Sequence, residues 1–519
     1  MANRDKVQTP AMNGNAACGG AKVPSVPDDL TSRRKHRSPH VAQAVLLASA
    51  LGQLGIALII TIFLARVLPP SAFGFFSLVG TIFILARKVL DLGLSNVAAR
   101  DVAKDPRRER PILEGMMAYR RVAGLALAIS LCIYAWMQHS QPERLVLALA
   151  AMVLLFTEPA ALDPVFQVRQ AQGGPALLNL AGGLLVLFGS VLFKRFALAG
   201  ATFAVLLLIQ EAVLLFVTRL LAQRLLGYHP RPGFRGRNLK AFVGPALIFG
   251  LASLVYTVYF NCDVFFVLAL RGRDELGAYA AAFRPINPLL LLPWLLMVPL
   301  IPVLTATAPK DAAAFVAQVR SASAIAVGIG ATGVVAGVML APDLVHLLYR
   351  GRYLEGALSC VDAFRWLALA LGLVCVTTVL TASMLAASKE KALLAIGTAA
   401  LAANVALNLM LLRHYNFTAA GFATAATELL FLLAAFVTFR RVMRSSPLDW
   451  RALSYLLPAL LTGAFLYFLH ASAVMRVICG IVLGLVSVSA ILVSPPARRF
   501  REQVTSNALV FSEEGTSVI

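Results

Sequence analysis

The stretch FLARVLPPSAFGFFSLVGTIFILARKVLD, residues 63–91, decides the fold, because a degenerate copy of its first half returns about two hundred residues later. The second copy reads VLALRGRDELGAYAAAF, residues 267–283. In both copies an apolar helix ends at an arginine, a short polar link follows, and a glycine–aromatic pair opens the next apolar helix. These pairs are Gly74 with Phe75 and Gly277 with Tyr279. The sequence therefore uses one helical hairpin twice.

A second pair of similar stretches sets the length of the repeat. FALAG at residues 196–200 recurs as FTAAG at residues 417–421, and each opens a long apolar helix. We interpret the chain as two similar halves, 41–221 and 241–440. Duplicated halves of transmembrane helices are a recurrent transporter architecture, with the substrate site between the halves. The alternative is chance, since alanine- and leucine-rich helices resemble one another.

Composition indicates a polytopic membrane protein. Mean hydropathy is +0.79, and 59% of residues are hydrophobic. Only 14% are charged, against about 25% in an average soluble domain. Apolar runs of about 20 residues recur, each long enough to cross a hydrocarbon core of about 30 Å. The net charge of +21 lies in short loops between these runs rather than on one domain, which argues against nucleic-acid binding. The six cysteines form no CxxC-type motif, so no metal or other cofactor is expected.

We predict an all-α fold of about fourteen transmembrane helices, arranged as two six-helix lobes with an appended C-terminal pair. The predicted spans are 41–65, 72–95, 113–137, 144–166, 174–193, 197–221, 241–269, 276–303, 318–341, 357–385, 392–412, 417–438, 452–470 and 472–494. The predicted domains are a disordered basic cytoplasmic tail (1–40), the N-lobe (41–221), a basic cytoplasmic linker (222–240), the C-lobe (241–440), spans 13 and 14 (452–494) and a cytoplasmic tail (495–519).

Loop charges predict the orientation. The two tails and the even-numbered connections hold about twice as many lysines and arginines as the odd-numbered connections. By the positive-inside rule, both termini are cytoplasmic. These basic loops would also suit anionic lipid or a partner enzyme, although topology alone explains them.

Basic residues inside the spans are candidates for binding an anionic substrate, because an ionisable group in lipid is costly unless it has a function. Arg87 and Asp91 lie four residues apart in the second span and are expected to pair. Lys88 beside them either lies at the base of a central cavity or extends its side chain to the headgroups of the inner leaflet. Two further pairs are expected, Asp263 with Arg284 at equal depth on neighbouring helices, and Asp362 with Arg365 at mid-depth of the tenth span.

Carboxylates inside the spans are candidates for cation coupling. A carboxylate removed from water holds its proton more readily, which suits uptake and release during a transport cycle. Aligning FALAG (residues 196–200) with FTAAG (residues 417–421) places Glu428 on the same helix face as Glu211, one turn away. The coupling candidates are Glu158, Glu211, Asp263 and Glu428. Each of them has the alternative role of holding a neighbouring helix by a hydrogen bond, and Asn179, Asn261, Asn404 and Asn408 are interpreted in that way.

Three stretches carry a resemblance to a known family. They are the repeated hairpin, LLYRGRYLEGALSCVDAFRWLALAL at residues 347–371, and ASKEKALL at residues 387–394. Over roughly residues 41–440 the chain resembles the polysaccharide-export branch of the multidrug/oligosaccharidyl-lipid/polysaccharide (MOP) superfamily. These are the Wzx-type flippases of lipid-linked oligosaccharides, and the shared motifs are loose patterns of glycine, aromatic and small residues.

The resemblance implies two lobes around a cavity that opens alternately to the cytoplasm and the periplasm. It implies transport, not catalysis, of an undecaprenyl-diphosphate-linked oligosaccharide across the bacterial inner membrane for exopolysaccharide, capsule or O-antigen, driven by a cation gradient. The cavity cations of the family correspond by position to Arg87, Lys88, Arg284 and Arg365. The implied partners are the lipid-linked substrate, membrane lipids, and a polysaccharide polymerase and glycosyltransferases.

Three other functions are weighed against this one. A multidrug/cation antiporter of the same superfamily is expected to have an acid-dominated cavity. A lipid II flippase also has fourteen spans, but this chain lacks the arginine in the first span and the long basic amphipathic hairpin associated with that group. A membrane glycan polymerase or ligase needs a sizeable extracytoplasmic loop, whereas the longest predicted loops between spans are cytoplasmic and short. No GxxxxGK[ST] nucleotide-binding motif occurs in the sequence, which argues against transport driven directly by ATP.

Overall fold

The computed structural model describes residues 39–137, 141–169, 171–192, 199–233, 239–297 and 300–494. Across these ranges the regular secondary structure is helical with no strand, which confirms the predicted all-α fold. Parts of three predicted segments lie outside the described residues. They are 1–38 and 495–519 of the tails, 234–238 of the linker, and 196–198 of the FALAG stretch.

The range predicted to form the N-lobe contains eight α-helices within the described residues. They are α1 (Pro39–Val67), α2 (Pro70–Asp91), α3 (Leu94–Lys104), α4 (Glu109–Met137), α5 (Gln141–Leu155), α6 (Asp163–Val168), α7 (Gly173–Leu192) and α8 (Ala199–Leu226). Short 3-10 turns at Pro106–Arg108 and Glu158–Leu162 precede α4 and α6.

The C-lobe and the appended pair follow. The C-lobe helices are α9 (Leu239–Tyr259), α10 (Asp263–Arg271), α11 (Arg273–Ile286), α12 (Leu291–Met297), α13 (Leu300–Thr307), α14 (Ala312–Tyr349), α15 (Val361–Ala386), α16 (Glu390–Leu411) and α17 (Thr418–Met443). The appended helices are α18 (Leu456–Phe468) and α19 (Ala473–Val493), and both pack against α14.

The predicted spans coincide with helical segments. Eleven of these segments in the described chain are long and apolar enough to cross a membrane, and a pair bent by 41°, Gly250–Tyr259 with Asp263–Arg271, makes a twelfth. The thirteenth predicted span is a shorter apolar helix, Ala452–Phe468. The eighth is divided among α11, α12 and α13. The polytopic membrane class is therefore confirmed.

Prolines accompany the divided spans. Pro285 lies in the last turn of α11, and Pro288 follows in a 3-10 turn, Asn287–Leu290. Proline lacks an amide hydrogen and clashes with the carbonyl four residues earlier, so the helix cannot continue straight. In the fourth span α5 ends at Leu155, and a 3-10 turn containing Pro159 separates it from α6. This break leaves a helix C-terminus inside the N-lobe, where nearby cations are favoured.

The two copies of the hairpin pack against each other. Helix α2 crosses α11 where Gly74 approaches Gly277. A β-carbon added to Gly74 would lie 2.3 Å from the carbonyl oxygen of Arg273, and one added to Gly277 would lie 2.1 Å from that of Pro70. Side chains cannot be so close, so glycine at both positions lets the two backbones touch. The glycine–aromatic motif is therefore one of the contacts between the lobes.

A second glycine pair joins the lobes at the other end of α2. Gly93 has a positive φ of 76° and approaches Gly250 of α9. A β-carbon on Gly250 would lie 2.2 Å from the carbonyl oxygen of Leu92. We call this the inner end, predicted to be cytoplasmic, and the end that carries the α1–α2 link the outer end. The lobes touch at both ends of α2.

Two arginines tie the lobes at the outer end. Arg66 in the last turn of α1 donates from Nε to the carbonyl of Leu348 and from Nη2 to that of Leu347, each at 2.6 Å. In return Arg352, which follows α14, donates from Nη1 to the carbonyl of Leu68 at 2.5 Å. Each guanidinium thus meets the negative end of a helix in the other lobe. We call these contacts the reciprocal arginine caps.

Candidate functional site

Arg284 brings a guanidinium to the lobe contact without a carboxylate partner. From α11 it reaches α2, where Nη2 donates to the Ser77 carbonyl at 2.6 Å and Nε donates to Ser77 Oγ at 3.1 Å. Thr81 Oγ1 accepts a longer bond of 3.4 Å from Nη2. Among the described residues no carboxylate oxygen lies within 4.0 Å of this guanidinium. The expected Asp263–Arg284 pair is wrong, because Arg284 crosses to the N-lobe while Asp263 faces the interior of the C-lobe.

Arg87 pairs with a different helix from the one expected. Its guanidinium bonds to Glu211 of α8, and its side chain is 56% exposed while that of Glu211 is 7% exposed. Asp91 instead accepts from Arg120 Nη2 at 2.9 Å and from Ser95 Oγ. The expected Arg87–Asp91 pair is therefore wrong, because the two side chains leave α2 toward different neighbours.

Lys88 and Arg365 occupy different parts of the molecule. Lys88 Nζ lies 3.3 Å from Ser253 Oγ of α9, so it spans the two lobes near the inner end. Arg365 pairs with Asp362 at 2.9 Å, which confirms that prediction. Its expected mid-depth position is wrong, because α15 begins only at Val361 and Arg365 lies in its second turn, 43% exposed. The structure therefore brings Arg284 and Lys88 to the lobe contact and leaves Arg365 elsewhere.

Glu158 is held between two arginines. Its Oε2 accepts from Arg121 Nε at 3.0 Å, and its Oε1 accepts from Arg219 Nη2 at 2.6 Å. Our sequence reasoning missed Arg120, Arg121 and Arg219, although all three fall inside predicted spans. Both coupling candidates of the N-lobe, Glu158 and Glu211, are therefore neutralised by arginine.

Asp263 is a buried carboxylate with neutral partners. Thr424 Oγ1 and Tyr279 Oη donate to Oδ2 at 2.6 and 2.9 Å, and Asn408 Nδ2 donates to Oδ1 at 2.8 Å. Asp263 is 2% exposed. No basic side chain in the described chain lies within 4.0 Å of it. Beside it Asn408 Oδ1 is buried with no hydrogen-bond partner among the described residues.

The oxygens around Asp263 suit a proton or a small monovalent cation. They comprise the carboxylate, the hydroxyl of Thr424 and the amide oxygens of Asn404 and Asn408, and such hard oxygen donors favour hard cations. A protonated Asp263 would donate a hydrogen bond, and a half-turn of the Asn408 amide, whose Nδ2 now faces Asp263, would offer it the unpartnered Oδ1 as an acceptor. In the part of the chain that the structure describes, no group of three or more His, Cys, Asp or Glu side chains is placed to hold a metal ion.

The four asparagines behave in two ways. Asn404 and Asn408 of α16 bond to Thr427 of α17 and to Asp263 of α10, which confirms their predicted role between helices. Asn179 and Asn261 donate instead to the carbonyls of Pro175 and Thr257 in their own helical segments, so for them the prediction is wrong.

Glu428 differs chemically from its counterpart Glu211. It is 2% exposed and lies beside Tyr256 and Tyr259. Within the described residues no basic side chain approaches its carboxylate within 4.0 Å, whereas Glu211 bonds to Arg87. The two carboxylates that the sequence alignment relates therefore differ in charge environment.

The family model described as "Polysaccharide biosynthesis protein" matches residues 43–308. The chain belongs to this family. The matched range includes both copies of the hairpin, the glycine contacts between the lobes, Arg284 and Asp263.

Solved structures share the fold at low sequence identity. A structure titled "Lipid II flippase MurJ, inward closed conformation" is 14% identical, with a TM-score of 0.68 over 87% of this chain and 98% of that chain. Two structures titled as multidrug resistance MATE family transporters of the MOP superfamily also match. One is inward-facing (15% identity, TM-score 0.51, over 77% of this chain and 98% of that chain) and one is outward-facing (16% identity, TM-score 0.52, over 78% and 96%). The chain therefore shares the fold of these solved transporters. A comparison with curated proteins finds no match in sequence.

Proposed function

We propose that this protein is a Wzx-type flippase that moves an undecaprenyl-diphosphate-linked oligosaccharide from the cytoplasmic to the periplasmic leaflet of the bacterial inner membrane. Membership of the polysaccharide biosynthesis protein family supports the glycan. The two-lobed MOP fold supports alternating access, in which the lobes rock around a site between them. Both termini are cytoplasmic in this proposal, as the loop charges indicate.

The observation that carries the proposal is the guanidinium of Arg284. It lies between the lobes, and its acceptors in the described chain are the neutral oxygens of Ser77 and Thr81. A cation away from water is costly unless an anion compensates it. The diphosphate of a lipid-linked sugar is such an anion, and arginine binds it through parallel charge-assisted hydrogen bonds. Arg284 therefore contacts the diphosphate during its passage between the leaflets.

Lys88 and Arg87 extend this site toward the inner end. Both side chains are exposed; within the described residues Arg87 pairs with Glu211, and Lys88 has the neutral Ser253 hydroxyl as its hydrogen-bond partner. They meet the diphosphate first as it enters from the cytoplasmic leaflet. Arg365 is a weaker candidate, because it lies near the opposite end, away from Arg284 and Lys88.

Mutation of Arg284 tests the proposal. The assay is translocation of a fluorescent undecaprenyl-diphosphate oligosaccharide in proteoliposomes. Arg284→Ala removes charged hydrogen bonds of about 1.5–3 kcal/mol each, so transport is expected to fall by about tenfold or more. Arg284→Lys should keep part of the activity. The matched control is Arg413→Ala, which removes an exposed arginine from the α16–α17 link and should leave transport unchanged.

A structural role for Arg284 predicts a different pattern. If Arg284 only holds α11 to α2, then Ser77→Ala with Thr81→Val, which removes its two hydroxyl acceptors but keeps the Ser77 carbonyl, should cause a large part of the loss seen in Arg284→Ala. A comparable loss in the two proteins, or normal transport by Arg284→Ala, would refute substrate binding at this residue.

Of the four coupling candidates, Asp263 is the strongest. It is buried among neutral donors, next to the unpartnered Asn408 Oδ1, whereas Glu158 and Glu211 already bond to arginines. A carboxylate in this setting can change its charge by taking up a proton or a cation, and the membrane potential contributes about 2.3 kcal/mol per charge per 100 mV. Glu428 also lacks a basic partner in the described chain, and its carboxylate lies against the hydroxyl of Tyr259.

Coupling is tested by the response of transport to imposed gradients. Asp263→Asn should insert normally yet lose acceleration by an inward proton or sodium gradient, while Glu158→Gln and Glu211→Gln should keep it. Loss of the gradient response in Glu158→Gln or Glu211→Gln, with Asp263→Asn unaffected, would move the coupling site to the N-lobe.

A further inference from the structure

Helix α9 carries an exposed tyrosine within a membrane span. Tyr256 is 55% exposed, and no hydrogen-bond partner for its Oη occurs within the described residues. Tyr259, about one turn further along α9, is buried, and its Oη donates to Thr427 Oγ1 at 3.2 Å. A buried tyrosine usually finds a partner for its hydroxyl in this way. Tyr256 instead keeps both its ring and its hydroxyl available to a ligand.

The exposed ring faces the region between the lobes rather than the lipid. One side of α9 is an apolar stripe at helical spacing, formed by Leu247, Leu251, Leu254 and Val258. Tyr256 lies on the opposite side of the helix. It neighbours Ser253, which precedes it by three residues and contacts Lys88 of α2. It also lies beside Glu428, which is buried in α17. The stripe therefore faces the lipid, whereas Tyr256 faces the region beside Lys88.

Tyr256 lies between the levels of two cations that we assign to the diphosphate. Helices α2 and α9 run in opposite directions, and the contact of Lys88 with Ser253 puts these two residues at one level near the inner end. Thr81, which contacts Arg284, is one to two helical turns from Lys88 toward the outer end, about 10 Å along α2. Tyr256 is displaced from Ser253 in the same direction by about 4.5 Å along α9. A diphosphate that moves from Lys88 to Arg284 therefore passes the ring of Tyr256.

We infer that the ring of Tyr256 is a stacking surface for the first sugar of the transported glycan, the pyranose bonded directly to the diphosphate. This inference rests on the proposed function. The face of an aromatic ring is electron-rich, and the C–H bonds on one face of a pyranose carry small positive charges, so the two flat surfaces attract each other. Phe260 packs against Tyr256 with 4.8 Å between the ring centroids, which limits the orientations of the tyrosine ring. Lys88 and Arg284 thus bind the diphosphate, while Tyr256 binds the sugar next to it.

The test compares carriers with and without a sugar. In the proteoliposome assay, the KM is measured for the fluorescent undecaprenyl-diphosphate oligosaccharide, and the inhibition constant is measured for undecaprenyl diphosphate that carries no sugar. Tyr256→Ala should raise the KM by about two- to tenfold, the range expected for the loss of one aromatic contact. It should leave the inhibition constant unchanged. Arg284→Ala should weaken the binding of both ligands, because both carry the diphosphate.

Two further variants separate stacking from packing. Tyr256→Phe keeps the ring and should leave the KM nearly unchanged, whereas Tyr256→Leu keeps an apolar side chain without a ring and should raise the KM as Tyr256→Ala does. The matched control is Tyr415→Ala, which removes a 63% exposed tyrosine from the α16–α17 link. It should change neither the KM nor the inhibition constant.

Two results would overturn the inference while leaving the proposed function intact. One is an unchanged KM in both Tyr256→Ala and Tyr256→Leu. The other is an equal loss of affinity for the carriers with and without sugar, because Tyr256 would then shape the site without contacting the sugar. If the unaltered protein does not transport the oligosaccharide at all, the proposed function fails and this inference fails with it.

Discussion

Adding one methyl group at Gly277 should open the outer end of the protein. In the present structure a β-carbon at this position would lie 2.1 Å from the carbonyl oxygen of Pro70, whereas ordinary contact begins at 3.4 Å. The nearest atom is backbone, which cannot swing aside. Gly277→Ala therefore forces α11 away from α2 by roughly 1.3 Å, the difference between these two distances.

The same displacement removes other contacts between the lobes. The bond from Arg284 Nη2 to the Ser77 carbonyl, now 2.6 Å, would lengthen to about 3.9 Å, beyond hydrogen-bond range. Overpacking of this kind costs about 1–3 kcal/mol. If the whole cost falls on the form in which the outer end is closed, the equilibrium constant between the closed and open forms shifts by about 5- to 150-fold toward the open form.

The displacement can be measured as a distance between the lobes. Spin labels at Gln141 of the N-lobe and Glu355 of the C-lobe occupy exposed positions at the outer end. Double electron–electron resonance on the otherwise cysteine-free protein should show a new, longer distance in Gly277→Ala. The same labels report on Gly74→Ala, whose β-carbon would meet the Arg273 carbonyl at 2.3 Å.

The matched control is Gly333→Ala. A β-carbon at Gly333, inside α14, has no heavy atom within 4 Å, so the substitution should leave the distance unchanged and favour the helix by up to about 1 kcal/mol. A folded Gly277→Ala protein with an unaltered distance distribution would refute the reasoning, because α2 and α11 would then tolerate a side chain where their backbones touch.

Three further predictions follow from the contacts and charges of the chain. Replacing Arg66 and Arg352 together by alanine removes both reciprocal arginine caps, so the same spin labels should report a larger open fraction than after either single substitution. Reporter fusions after Arg37 and after Arg501 should both behave as cytoplasmic, and a periplasmic signal from either would mean that a span is miscounted. Glu211→Gln should lower the free energy of unfolding by no more than about 1 kcal/mol, because its arginine partner is 56% exposed and such pairs contribute little, and a larger loss in a thermal melt would contradict this.

Hydropathy predicted the spans well because it reflects how each segment partitions between water and lipid, which does not depend on which helices lie beside it. Any run of about 20 apolar residues must satisfy its backbone hydrogen bonds internally in lipid, which requires a helix. The failures are the spans with prolines or breaks. The eighth predicted span is several short helices around Pro285 and Pro288, and Arg365 lies nearer a helix end than expected because α15 begins later.

Pairing of charges was predicted well only within one helix. Asp362 and Arg365 pair because three residues fix their relation on one helical surface. Arg87 and Asp91 have a similar spacing, yet each finds a better partner on another helix, in Glu211 and Arg120. Local spacing states which groups can meet, but not which neighbouring helix offers a competing charge.

The sequence by itself determined the class, the helical segments and the duplicated hairpin, since these depend on composition and on short periodicities. Only the tertiary structure decided that Gly74 and Gly277 touch each other, that Arg284 faces neutral oxygens of α2, and that Asp263 lies among Tyr279, Thr424 and Asn408. These relations join residues from 16 to 207 positions apart. They depend on how each helix is rotated and which helix lies beside it, and that is fixed by the packing of all the helices together rather than by any one segment.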